Sequence, residues 1–140
     1  VMKVPPKLDD GTPFPTTYWL TCPMYNKKIG SLESHGLIKE LDKEIINNPE
    51  LKKQWKSRQI SYEQERERLE TKDMGPKASG GVGGATESIK CLHSHTADEL
   101  STGQNVIGKI VIESIGGFNC EEMCINSETF EKNKDWKIIW

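Results

Sequence analysis

An excess of charge of one sign, a long apolar run and abundant cysteine are all missing from this chain, and each absence narrows what it does. Lys and Arg number 19 against 21 Asp and Glu, a formal net charge of −2, and the sequence pI is near 6.0. That balance leaves no electrostatic footprint for nucleic acid or an anionic membrane. No run approaches the roughly 20 consecutive apolar residues that span a bilayer, and mean hydropathy is −0.64. The 4 cysteines are too sparse and irregular for a disulfide-stapled scaffold. They point to an intracellular, reducing compartment with thiols free or metal-bound. The opening Val1-Met2-Lys3-Val4-Pro5-Pro6 is neither a signal peptide nor a typical transit peptide, and it carries no initiator Met. Cytoplasm fits, as does an organelle matrix if a presequence has been removed.

What is present reads as one domain of α+β class, mainly α, with a short N-terminal β-hairpin followed by four to five helices. Residues 1–23 form the hairpin: Val1 to Val4, the turn signal Asp9-Asp10-Gly11, then a β-branched and aromatic run over 16–22 fenced by Pro15 and Pro23. Residues 24–72 read as helices. The first is closed by Gly36, the second carries Ile38, Leu41 and Ile45 at helical spacing, and the third opens on the cap Asn48-Pro49. That third helix is long and charged, with a narrow stripe of Leu51, Trp55, Tyr62 and Leu69 and a solvated face holding Glu63, Glu65, Glu67 and the neighbouring arginines. Residues 73–85 are a glycine-rich loop, the best candidate for a mobile segment; 86–115 are the central helices; 116–140 form a tail. Asn105 is placed to cap a helix through Val106, Ile107, Ile110 and Val111, although 109–115 also alternates as a strand would. Asn119 is placed to cap a short turn carrying Cys120 and Cys124.

Chemistry concentrates in Lys90-Cys91-Leu92-His93-Ser94-His95-Thr96-Ala97-Asp98-Glu99-Leu100. With Thr86 as N-cap and Gly103 as stop, Cys91, His95 and Asp98 share one helix face, and His93 turns to the core with Leu92 and Thr96. Cys91 and His95 are one turn apart, as are Cys120 and Cys124. With Cys22, and Asp98 in reserve, these make a candidate zinc set. The same Cys91, near a helix N-terminus, is a candidate nucleophile with His95 or His93 as base. Gly81, Gly83 and Gly84 with Lys90 offer a backbone cradle for an anion, without the Lys-Ser/Thr of a P-loop. His35, before Gly36, reads as a cation at a helix C-terminus.

Three segments resemble a bacterial family, domain-of-unknown-function family 501. They are Gly11-Thr12-Pro13-Phe14-Pro15-Thr16 running through Tyr18 and Leu20 to Thr21-Cys22-Pro23, then Ser31-Leu32-Glu33 followed by Gly36, then Lys90-Cys91-Leu92-His93. The similarity runs from about Val4 to Gly108 and implies a small, mainly helical soluble protein with no activity to carry over. Members have a cysteine-containing segment before the first motif, which this chain lacks, and often a histidine where it has Asp98.

Two functional readings follow. One is a non-enzymatic scaffold or accessory subunit carrying a structural metal, with Trp55, Tyr62, Trp136 and Trp140 meeting a protein partner. The alternative is a small cysteine- or metal-dependent enzyme using Cys91 and His95 beside the glycine-rich loop. They separate cleanly, because an enzyme requires a concave pocket around Cys91 and a depressed thiol pKa.

Overall fold

The computed structural model describes residues 1–70, 75–118 and 120–137. Among them a two-stranded antiparallel hairpin precedes five α-helices, the mainly helical α+β architecture expected from the sequence. Strand β1 (Met2–Lys3) pairs with β2 (Tyr18–Trp19), Met2 opposite Trp19 and Lys3 opposite Tyr18. The connection reverses at Gly11, whose φ of +82° suits a residue without Cβ. The pairing is shorter than the 16–22 run suggests. Cys22 leaves the sheet in extended conformation as N-cap of α1 (Pro23–Ser34), with Pro23 in the first turn.

Gly36, at φ +93°, turns the chain from α1 into α2 (Leu37–Asn47), which buries Leu41 and Ile45. Asn48 then caps α3 (Pro49–Glu67), its side-chain oxygen accepting the N–H groups of Glu50 and Leu51 at 3.1 Å each. Helices α4 (Leu92–Thr102) and α5 (Val106–Ile115) complete the set. Helix α5 is a helix and not the alternating strand, because Asn105 accepts the Gly108 N–H at 3.0 Å and starts it. Ile29, Leu41, Trp55, Leu92, Ile107 and Val111 belong to one buried cluster fed by all five helices. No helix among the described residues is long and apolar enough to cross a membrane.

Two expectations about α3 need correction. It ends at Glu67, and its inner face is far from a narrow apolar line: Arg58, Gln59 and Arg66 are buried beside Leu51, Trp55 and Tyr62. Asp98 of α4 reaches this face through its side chain, and both arginines find partners inside the protein. Arg58 Nε and Nη2 donate to Asp98 at 2.8 and 2.7 Å, and Nη1 and Nη2 to Glu65 at 2.8 and 2.9 Å. Trp55 and Tyr62 are 3% and 1% exposed, so they are core residues and not a partner surface.

Arg66 corrects a third expectation. Its guanidinium donates to the carbonyls of Pro15, Ala78 and Gly80 at 3.1, 3.1 and 2.7 Å. Gln59 accepts the Val82 N–H at 2.6 Å, and Glu63 accepts that of Gly80 at 2.8 Å. Gly81 is pressed against the Gln59 side chain so closely that a Cβ there would collide with it. The glycine-rich stretch is thus packed around α3, with a 3-10 turn at Val82–Gly84, and is no lid.

The Arg58–Asp98 pair sets the first prediction. Asp98→Ala leaves a buried guanidinium half-satisfied and should lower unfolding free energy by about 3–5 kcal/mol. The double variant Arg58→Met/Asp98→Leu should lose clearly less than the sum of the two single changes. Urea unfolding of the four proteins measures this, and strict additivity would refute the coupling.

Candidate active site

Helix α4 was expected to begin near Thr86, and its true start decides the chemistry. Residues 86–91 are non-helical because their groups are committed elsewhere. The Ile89 N–H donates to Asp42 at 2.8 Å, the Ile89 side chain is buried, and Lys90 Nζ donates to the Gly84 carbonyl at 2.8 Å. Cys91 therefore stands outside the helix as its N-cap, extended at φ −154° and ψ 117°. The thiol makes no capping hydrogen bond to the first turn, and its sulfur lies within 4.8 Å of a ring nitrogen of His93. The one-turn relation of Cys91 to His95 does not arise, since only one of the two is in the helix.

The two histidines consequently exchange the roles expected of them. His95 is 1% exposed, and its Nδ1 lies 3.0 Å from the Asn105 side-chain oxygen. That oxygen also accepts the Gly108 N–H, while Asn105 Nδ2 donates to Asp98 at 2.8 Å. An acceptor oxygen places the proton on His95 Nδ1. Burial, only partly offset by the Asn105 contact and the charges of Asp98 and Asp42, holds His95 below the usual imidazole pKa and keeps it neutral. It is a core residue tying α4 to α5. His93 instead sits at the surface end of α4. Its Nε2 donates to the Asn26 carbonyl of α1 at 3.1 Å, and its Nδ1 lies 3.4 Å from Glu33 Oε1.

Glu33, from the last turn of α1, completes the group. Its Oε1 accepts the Leu92 N–H at 2.7 Å, a carboxylate placed where the positive end of α4 favours it. The Sγ of Cys91, a ring nitrogen of His93 and a carboxylate oxygen of Glu33 all lie within 4.8 Å of one another. Cys91, His93 and Ser94, with Asn26, face Tyr18, Trp19 and Leu20 of the hairpin across a cleft of about 320 Å³.

Electrostatics follow from these contacts. The hydrogen bond with Cys91 is the main influence on His93; the Asn26 carbonyl and the charges of Glu33 and Cys91 add to it, burial opposes it, and its pKa rises to about 9. Burial disfavours the Cys91 thiolate, and so does the Glu33 charge, yet polar contacts with His93 and Ser94 outweigh them and bring the thiol below its ordinary value. The arrangement is a thiol of lowered pKa beside an imidazole of raised pKa at a helix N-terminus, with one wall open.

The other expected ligands are not brought to this place. Cys22 is the N-cap residue of α1, Cys120 is exposed, and Cys124 lies on no helix: residues 120–137 are held by the Ile125–Lys132 bridge and by turn hydrogen bonds such as the Asn133 N–H to the Cys124 carbonyl at 2.9 Å. Cys120 and Cys124 thus lack the one-turn helical spacing expected of them. Asp98 is consumed by Arg58 and Asn105. Among the described residues, Glu33, Cys91 and His93 are the group of three potential ligands brought within reach of one ion, so the set of Cys22, Cys91, His95, Cys120 and Cys124 retains only Cys91. The anion cradle also fails. Gly81 N–H donates to the Ala85 carbonyl at 2.8 Å, Gly84 N–H to that of Gly81 at 2.9 Å, and Lys90 is turned onto the Gly84 carbonyl. His35 sits at the end of α1 with Nδ1 donating to the Ser31 carbonyl at 2.7 Å. Trp136 is half-buried, whereas Trp140 and the expected cap Asn119 lie outside the described residues.

Glu33 and Asn26 are the site residues that pattern reading missed. No periodicity marks them, although Glu33 stands within the Ser31-Leu32-Glu33 segment singled out by resemblance.

No curated protein and no solved structure matches the chain. The family model described as protein of unknown function (DUF501) matches residues 1–113 of 140, a span that contains Glu33, Cys91 and His93, and the chain belongs to that family.

Proposed function

We propose that this protein is a small cysteine-dependent enzyme of the acyl-transfer class, with Cys91 as nucleophile and His93 as its acid–base partner. One observation carries the reading: the Cys91 thiol, at the N-cap position of α4 and with His93 beside it, opens on a cleft of about 320 Å³. This is the combination that separates the enzyme reading from the scaffold reading. His93 replaces His95 as the partner base, and the Asn26 carbonyl holds the ring in place as the third member of such arrangements does. The scaffold with a structural metal draws on Cys120, Cys124, Trp55 and Tyr62, of which two are far from helical pairing and two are buried.

In this reading the thiolate attacks a substrate carbonyl carbon seated against Tyr18, Trp19 and Leu20, forming a C–S bond. His93 passes its Nδ1 proton to the departing group, whose bond to the acyl carbon breaks. Neutral His93 then takes a proton from water as the water attacks the thioester, and Cys91 returns as thiolate. The net change is hydrolysis of one acyl bond. The cleft walls suit a small acyl group that is largely apolar.

Two measurements test this. The first is alkylation of Cys91 by iodoacetamide against pH in metal-free protein, followed by peptide mass spectrometry. The sign follows from the two shifts. Reactivity is lost on the acid side as the thiolate takes a proton, at a midpoint below that of an ordinary cysteine. His93 loses its charge as the pH rises through about 9. His93→Asn should therefore move the acid-side midpoint upward, and an unmoved midpoint removes the pairing. The second uses p-nitrophenyl acetate as a generic acyl donor. One acetyl mass should appear on Cys91, and His93→Asn should slow acetylation by roughly 10²–10⁴-fold. Equal labelling of all four thiols would end the enzyme reading.

A further inference from the structure

We infer that Glu33, Cys91 and His93 also form a binding site for one zinc-class divalent cation, which shares the thiol with the acyl-transfer site and silences it when bound. The argument rests on geometry and ligand chemistry and holds whether or not Cys91 is a nucleophile.

Tetrahedral zinc with bonds of roughly 2.0–2.3 Å to nitrogen, oxygen and sulfur sets neighbouring ligand atoms roughly 3.3–3.6 Å apart. His93 Nδ1 and Glu33 Oε1 are 3.4 Å apart, and the Cys91 sulfur lies within 4.8 Å of both. An ion can enter this triangle with small side-chain adjustments. The supporting contacts are also those of a metal site. Nε2 of His93 carries its proton to the Asn26 carbonyl, which leaves the Nδ1 lone pair for the ion. The Leu92 N–H orients the Glu33 carboxylate at 2.7 Å.

Donor type sets the class of ion. Thiolate and imidazole select a borderline-soft cation over magnesium or calcium, and a thiolate with a carboxylate balances two positive charges. Three protein ligands leave a fourth position, and the face left open is the cleft bordered by Trp19 and Leu20. A small ligand there would meet the ion directly. Binding releases the proton shared between His93 and Cys91 and occupies the sulfur lone pair that attack would use. The ion and an acyl substrate therefore compete for one atom.

The test is titration of reduced, chelator-treated protein with Co²⁺, followed by displacement with Zn²⁺. One equivalent of cobalt should give four-coordinate ligand-field bands and a thiolate-to-cobalt charge-transfer band, which zinc abolishes. Cys91→Ser should remove the charge-transfer band. Glu33→Gln, which keeps an acceptor for the Leu92 N–H, should weaken binding by about tenfold or more. The Cys120→Ser/Cys124→Ser protein should match wild type. One equivalent of zinc should protect Cys91 from iodoacetamide in wild type but not in Glu33→Gln. A wild-type protein that takes up no cobalt, or a charge-transfer band that survives Cys91→Ser, overturns the inference. Neither result touches the acyl-transfer reading, which stands or falls on acetylation of Cys91 in metal-free protein.

Discussion

Arg58 is the joint on which the helical body is assembled. Its guanidinium is 4% exposed and is held from two sides by carboxylates, Asp98 of α4 and Glu65 one further turn pair along α3. A charge so placed is tolerated only because each of its donors is used. The pairing continues outward: Asp98 accepts from Asn105, whose side-chain oxygen meets His95 and caps α5. Three helices are thereby fixed in rotation and register by one connected polar chain. At the α4–α5 crossing, Gly108 lies against the backbone of His95 so closely that a Cβ would overlap it. The hydrophobic cluster supplies the bulk of the burial, and the Arg58–Asp98 pair adds a directional link between α3 and α4.

That fixation matters most at the far end of α4. The network around Asp98 lies in the middle of the helix, so its N-terminus projects at a defined position toward α1 and the hairpin. Cys91, His93 and Ser94 come from this one turn, Asn26 and Glu33 from α1, and Tyr18 to Leu20 from β2 and its continuation. The site is a meeting of three elements whose relative placement is decided elsewhere. The buried polar groups of the middle of α4 are bonded to one another and to α3 and α5, and the half-buried ones at its end face the cleft.

Much of this fold was legible before any coordinates. Asn48-Pro49, Gly36, Gly103 and Asn105 are capping residues whose side chains or left-handed φ values act locally, and each acts where the sequence places it. What could not be read is decided by long-range partners. Arg58 and Arg66 look like solvated charge in α3, because the carboxylate of Asp98 and the carbonyls of Pro15, Ala78 and Gly80 are 12 to 51 positions away. The start of α4 was misplaced for the same reason. Thr86 is a competent cap in isolation, but the Ile89 N–H is drawn to Asp42, 47 positions earlier. Five residues' difference in the start turned Cys91 from a helical residue into a cap, and so replaced His95 by His93 as its neighbour. The structure keeps Cys91 in the proposed site and sets His93, in place of His95, beside it.

In the two proposals a proton and a metal ion are alternative occupants of the space between Cys91, His93 and Glu33. With the proton in place, sulfur is a nucleophile flanked by an acid; with a divalent ion in place, the same sulfur is a ligand and the nucleophile is lost. Tying His93 through Nε2 to the Asn26 carbonyl serves either occupant, because it aims Nδ1 inward in both cases. Glu33 acts on each differently. Its charge works against ionisation of the Cys91 thiol, so for nucleophilic chemistry alone it is a burden on the thiolate it neighbours. Beside a divalent cation the same charge is an asset, completing neutralisation of the ion. A carboxylate anchored by the Leu92 N–H at this position also favours the His93 imidazolium, so it serves the proposed thiol chemistry through His93 and a divalent cation through direct neutralisation.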